Sequence, residues 1–374
     1  MDIIVNMKGK FFIILSWCSW LILKQIPFEI NPTMGLIPMI AYPSIIFIVM
    51  LGCVFSVNHH AEQLSYILRE PFGTLILTLS MGIIEVSIML EIMLTGDQNP
   101  SMLRDTVFAT LMIMLNGMVG LSLVAGGWRH FEQKFNLRGA LSYLHLIAPL
   151  SLILLIMPNR TLSSPGPTLI PVQEIFLGLL CILVYVLFIS MQTTRHKALF
   201  DDYKTNTILF KAIISPDKKH QNNTQSVWIS SIALIVSVIP IVLLADYLGG
   251  FINFGIETLH APTELGGLII ASLVLIPESL GAFQSALHNK MQRAINICLG
   301  SALSTIALTI PAIMLAGGLQ DLTLILGVNS SNSTLLMATL FTALITFMSG
   351  QTTILQGHVH IMLFIGYIFL IFYP

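Results

Sequence analysis

The chain has 374 residues, of which 55% are hydrophobic and 9% charged, with a net charge of -1 and a mean hydropathy of +0.86. A soluble domain carries about 25% charged residues, so this composition excludes one and describes a polytopic, all-α membrane protein. The four cysteines, Cys18, Cys53, Cys181 and Cys298, fall within apolar runs without metal-ligand spacing and suggest neither disulfides nor a zinc site.

Crossing the hydrocarbon takes roughly 20 apolar residues per helix. Eleven runs qualify in chain order: 11–26, 35–57, 71–94, 103–125, 139–157, 170–191, 227–248, 263–285, 293–316, 333–349 and 354–373. The first follows Lys8 and Lys10 like a signal peptide, but Lys24 and Gln25 stand where small cleavage-site residues belong, so it is read as a retained short span. With the N-terminus cytoplasmic, fourteen lysines and arginines fall on the inside and only Lys24, Arg104 and Arg160 outside, the asymmetry expected of an inner-membrane protein. Residues 192–226 form the longest hydrophilic stretch and read as a cytoplasmic linker.

The two sides of that linker are related. A shift of 193 places Gly73 on Gly266, Leu75 on Leu268, Ile76 on Ile269 and Glu85 on Glu278, and a shift of 191 places Gly126-Gly127 on Gly317-Gly318. The expected organisation is an extra helix in 1–34, a five-helix repeat in 35–191, the linker 192–226, and a second five-helix repeat in 227–374. Five is odd, so the second repeat enters the membrane inverted. Inverted repeats place their substrate site at the midplane where the units meet.

Glu85 and Glu278 are the residues that need a reason. At 1.5 Å per residue, Glu85 lies about 21 Å into a helix beginning at Pro71, and Glu278 about 22 Å into one beginning at Thr263. A charged group at that depth costs roughly 2.5 to 3.5 kcal/mol on insertion scales, a cost usually tied to ion or proton movement. Two such carboxylates meeting at the midplane match a divalent cation. Calcium takes six to eight oxygens, and Ser80, Ser87, Asn116, Ser279, Ser304 and Thr305 are the candidate further ligands. Gly82 and Pro277, just before the glutamates, are expected to loosen the helix and release carbonyls.

His145, His358 and His360 lie in or near spans and read as hydrogen-bonded packing residues. His59 and His60 read as a solvated interfacial pair. The sequence holds no phosphate-binding loop, no nucleophile elbow and no His-Glu-x-x-His, which argues against an ATP-driven pump or a membrane hydrolase. No enzyme activity, cofactor or nucleic-acid partner is expected.

Four stretches carry a family resemblance. Gly126-Gly127-Trp128-Arg129-His130-Phe131-Glu132-Gln133-Lys134-Phe135-Asn136-Leu137-Arg138-Gly139-Ala140 resembles the loop after the fourth helix in bacterial calcium/proton antiporters of the ChaA type. Pro277-Glu278-Ser279, the run from Ala286 to Asn296 and the run from Gly300 to Pro311 are similar to the same family. The resemblance covers the chain from about residue 35 to its end and implies the cation/calcium exchanger fold with two inverted five-helix repeats. The superfamily's Gly-Asn-x-x-Glu motif carries its glutamates onto Glu85 and Glu278. Its asparagine falls on Gly82 in the first repeat and Leu275 in the second, and Gln356 is neutral where many relatives are acidic. The resemblance implies cation/proton antiport, with calcium, sodium or potassium as cargo. A cation channel or a non-transporting membrane scaffold is the alternative from another class.

Overall fold

The computed structural model describes residues 2–25, 36–68, 72–95, 100–200, 224–319 and 324–374. The described residues are helical, apart from loops and one isolated bridge between Lys134 and Gln351. The first half comprises α1 (Asp2–Gln25), α2 (Leu36–Leu68), α3 (Phe72–Thr95), α4 (Met102–Met112), α5 (Val119–His130), α6 (Leu137–Leu155) and α7 (Pro171–Ser190). The second comprises α8 (Thr224–Leu259), α9 (Glu264–Leu287), α10 (Met291–Ser304), α11 (Ile310–Leu319), α12 (Ser330–Met348) and α13 (Ile354–Phe372). A π-helical turn, Ile113–Met118, joins α4 to α5 in one rod, and a second, Thr305–Thr309, joins α10 to α11 in another.

Among the described residues nine helical segments are long and apolar enough to cross a membrane, and α1 contributes a shorter apolar stretch, Phe11–Gln25. The chain is an integral, multi-pass membrane protein. Several helices outrun their apolar stretches: α2 continues to Leu68 and α8 to Leu259. Backbone hydrogen bonding carries a helix into the headgroup region, whereas hydropathy marks only the hydrocarbon. Of the linker, residues 201–223 lie outside the described residues. Its flanks are ordered, with a π-turn at Met191–Arg195 and α8 already begun at Thr224.

The packing pairs elements from opposite halves. α2 lies along α8, α4 along α9, α5 along α13, α7 along α11 and α6 along α12. α3 packs on α8 and touches the Thr305–Thr309 turn. Side-chain caps start several helices where the sequence supplies them. Asn136 accepts from the backbone N–H groups of Arg138 and Gly139, Asn329 from that of Asn332, and Thr353 with Gln356 forms a capping box.

One end of the bundle is basic and polar. There the α5–α6 loop meets the α9–α10 loop: His130 Nε2 lies 2.9 Å from the Leu287 carbonyl, Gln133 donates to the Ala286 carbonyl at 2.9 Å, and Gln292 accepts from the Asn136 N–H at 2.6 Å. The backbones of Gln133 and Thr352 add the α12–α13 loop to the same knot. Two of the stretches that carry the family resemblance, Gly126–Ala140 and the run from Ala286 to Asn296, therefore converge on one end of the molecule.

Small residues set close helix contacts, as expected between helices that share no hydrophobic drive in lipid. A Cβ on Gly357 of α13 would stand 2.8 Å from the Val124 nitrogen and 2.9 Å from the Gly120 oxygen, both backbone atoms of α5. Gly357→Val therefore forces two helices apart and is expected to cost about 2 kcal/mol. Thermal unfolding in detergent will register this as a lowered midpoint. Gly366→Ala, where the added atom meets nothing within 4 Å, is the matching control and leaves the midpoint unchanged.

Candidate functional site

Glu85 sits midway along α3 and is 5% exposed. Thr305 donates to its carboxylate at 3.1 Å and 3.0 Å from the two oxygens, and Thr309 donates to Oε2 at 2.7 Å. Both threonines belong to the π-turn between α10 and α11. Such a turn widens the helix by one residue and is frequent at functional sites. Here it carries two hydroxyls to a carboxylate on the other half of the chain.

Glu278 occupies the corresponding place on α9, directly after Pro277. Ser301 of α10 lines the same cavity as Glu278, whose buried Oε2 has no hydrogen-bond partner. Both carboxylates lie against the α10–α11 rod. Ser301, Thr305 and Thr309 stand four residues apart, so they form one stripe along the rod, with Ser301 beside Glu278 and the threonines serving Glu85. The stripe bridges the pair.

That cavity has a volume of about 290 Å³. The cavity reaches side chains at the helix ends: Glu62 near the end of α2, Gln192 just beyond α7 and Arg293 at the start of α10. Gln192 donates to the Tyr143 hydroxyl at 2.8 Å on its wall. Glu85 is not among the lining residues and is buried against Thr305 and Thr309.

Of the ligands expected from sequence, Thr305 is brought onto Glu85 and Ser304 into the cavity with Glu278. Ser304 donates to the Ser301 carbonyl at 2.9 Å. Ser80, Ser87 and Ser279 lie five, two and one residues from their glutamates, and a helix turns them onto other faces. Asn116 lies in the Ile113–Met118 turn, fully buried, and its amide is taken up by α12 and α13: Nδ2 donates to Thr339 Oγ1 at 2.8 Å, and Oδ1 lies 3.3 Å from His360 Nδ1. His360 is the packing histidine expected, while His358 lies 2.9 Å from the Ile354 carbonyl one turn back. His60 is buried rather than solvated, because α2 packs along α8 to its end. Gln356 spends its side-chain oxygen on the Thr353 N–H at 2.9 Å, a helix cap that needs no charge.

The expected loosening at Gly82 and Pro277 is not seen. α3 and α9 run unbroken through both, and the departures from α-helical geometry lie one rod later in each half. Proline removes one hydrogen bond, but flanking turns packed on neighbours keep the helix intact. Sequence reading missed Thr309, Ser301 and the cavity residues Glu62 and Arg293. The four-residue spacing of Ser301, Thr305 and Thr309 was the available signal.

A family described as "Sodium/calcium exchanger protein" matches residues 44–194 and 229–373. Among curated proteins, the chain is 35% identical over 322 residues to the ionic transporter y4hA of Sinorhizobium fredii, with 86% of each chain covered. It is 33% identical over 328 residues, with the same coverage of each, to the sodium-potassium/proton antiporter ChaA of Escherichia coli. Among solved structures, native YfkE superposes with a TM-score of 0.74 at 16% identity, covering 99% of this chain and 100% of the other. The H+/Ca2+ exchanger CAX superposes at 0.68 with 11% identity, covering 97% and 88%. At those identities the structural likeness is one of fold.

Proposed function

The chain belongs to the sodium/calcium exchanger protein family, a family of transporters rather than catalysts, and on that premise we propose that it is a secondary antiporter moving a cation, calcium first, against protons. The observation that carries this reading is the pair of carboxylates inside apolar helices, one on each half of the chain, set against one rod whose Thr305 and Thr309 donate to Glu85 and whose Ser301 lies beside Glu278. Two facing carboxylates neutralise one divalent cation or hold two protons, and each load excludes the other. The chemistry of curated relatives points the same way: ChaA is a sodium-potassium/proton antiporter, and a relative from Aphanothece halophytica, 22% identical over 232 residues, is a Ca(2+)/H(+) antiporter. Sodium and potassium are therefore the competing cargoes.

On this reading Glu85 and Glu278 are the exchange groups. Thr305, Ser304 and Asn116, with Ser80, Ser87 and Ser279 more remote, are the further oxygen donors anticipated from sequence. Thr309 and Ser301 join them. Eleven crossings, an extra first helix and two inverted five-helix repeats fit the packing. Exchanging the halves turns the α5–α13 contact into α11–α7, and α4–α9 into the contact of the second π-turn rod with α3, while α2–α8 and α6–α12 map onto themselves. The cavity beside Glu278 is the approach from the basic end, which the lysine and arginine distribution assigns to the cytoplasm. The location is the bacterial inner membrane.

The deciding experiment is flux in proteoliposomes under an imposed pH gradient, repeated with calcium, sodium and potassium. Saturable cation movement that follows the gradient supports antiport. Non-saturating flux indifferent to pH identifies a channel, and no flux identifies a scaffold. The orientation is tested separately: single cysteines placed between residues 201 and 223 of a cysteine-free variant are expected to react with a membrane-impermeant thiol reagent only from the cytoplasmic side.

A further inference from the structure

Each glutamate helix is followed by a rod interrupted by a π-turn, yet the two turns are used differently. The second turn, in the rod after Glu278, gives Thr305 and Thr309 to Glu85. The first, in the rod after Glu85, packs against α9, the helix of Glu278, and against α10. The same exchange of halves would have Asn116 of that turn serve Glu278. Instead its amide is hydrogen-bonded to Thr339 and set against His360, and Glu278 Oε2 is buried without a hydrogen-bond partner.

The groups that hold Asn116, with Met112 Sδ 3.4 Å from Nδ2, are fully or almost fully buried. Thr339 Oγ1 accepts from Nδ2 at 2.8 Å. His360 Nδ1 faces Oδ1 at 3.3 Å, and His360 Nε2 lies 3.0 Å from Thr346 Oγ1. Asn116, Thr339 and His360 are each 0% exposed and Thr346 is 3%. An Asn116 oxygen facing a ring nitrogen requires the hydrogen on Nδ1, which leaves Nε2 to accept from Thr346. In that tautomer the ring, which the Leu115 backbone also reaches, occupies the only side-chain oxygen that the first π-turn could offer a cation.

We propose that His360 is a positioning residue of the transport site: by donating to Asn116 Oδ1 it holds that amide on the α12–α13 side, away from Glu278, when the site is empty. Loading breaks the bond, and the amide turns to the neighbourhood of Glu278 Oε2. The inference deepens the antiport reading and rests on it. Because the parked bond competes with cation binding, removing it tightens apparent affinity. His360→Phe deletes the donor while filling the space, and His360→Asn keeps a donor near the Nδ1 position.

The test is the calcium KM of reconstituted protein, with maximal rate measured alongside. His360→Phe is expected to lower KM about fivefold, the scale of one neutral hydrogen bond, and His360→Asn to return it toward wild type. Thr339→Val releases the other end of the amide at constant shape and is expected to act in the same direction, which covers the case in which the histidine variant fails to fold. In an Asn116→Leu background the His360→Phe substitution is expected to leave KM unchanged, a coupling that a purely structural histidine would not produce. An unchanged or raised KM in both His360→Phe and Thr339→Val, or the same shift with and without Asn116, overturns the proposal. Wild-type protein without proton-coupled flux overturns the antiport reading and this inference together, whereas wild-type flux with an unaltered variant KM overturns the inference alone.

Discussion

Glu85→Gln and Glu278→Gln are each expected to reduce proton-coupled calcium flux by more than about a hundredfold while leaving insertion and folding intact. Glutamine keeps the shape of the side chain and, at Glu85, its capacity to accept from Thr305 or Thr309. It removes half the negative charge that faces a divalent ion, and breaking one side of a buried charge pair costs about 3 to 5 kcal/mol, which at 1.4 kcal/mol per decade exceeds a hundredfold. The two variants differ in one respect. Glu85 is buried and hydrogen-bonded to both threonines, so its glutamine leaves a donor facing threonine hydroxyls that already donate, and their reorientation accompanies the loss. Glu278 faces the cavity, where water can solvate the new amide. Calcium-dependent proton movement above about a tenth of wild type in either purified variant, a loss of less than the one decade that 1.4 kcal/mol buys, would remove that glutamate from the exchange mechanism.

The second large effect is on pH. Metal binding requires deprotonated carboxylates, so acidification works against the cation at both glutamates. Apparent calcium affinity is expected to weaken as pH falls, approaching a hundredfold per pH unit in the range where the empty site holds two protons, because two must leave for one ion to enter. The sign is fixed by the chemistry: protons stabilise the empty site and are expelled by the loaded one. Sodium displaces fewer protons and is expected to follow a shallower line. Measuring affinity against pH for both ions in the same vesicles gives the comparison. A calcium affinity flat across the range of active transport would mean that cation and proton do not share Glu85 and Glu278.

The glutamates were legible in the sequence because a carboxylate inside an apolar run is costly and therefore conspicuous, and the same holds for the helical class of the fold. The rest of the site was harder to see for identifiable reasons. Hydroxyls are common in membrane helices because they satisfy themselves on the preceding turn, as Ser285 does on Gly281, so spacing alone did not separate Thr309 from its neighbours. Gly82 and Pro277 advertise weak helix, yet the irregular turns formed at Ile113–Met118 and Thr305–Thr309, where no single residue type demands one. Glu62 and Arg293 stand near helix ends, where charge is ordinary, and only the packing of α2, α7 and α10 around a shared cavity gives them a connection to Glu278. Asn116 was marked by its amide; which neighbours claim that amide is decided by helices more than two hundred residues further along the chain.

The stripe that bridges the two carboxylates has an electrical consequence. Ser301, Thr305 and Thr309 offer oxygen without charge, so the two glutamates alone set the charge of the site. Loaded with one calcium ion or with two protons, the pair sums to zero. A site neutral in both loaded forms carries no net charge across the bilayer in either direction, and the roughly 2.3 kcal/mol that 100 mV supplies per elementary charge has nothing to act on. On the antiport proposal, calcium exchange would then be powered by concentration gradients alone, and a cell whose membrane potential has collapsed would retain it for as long as a pH difference survives.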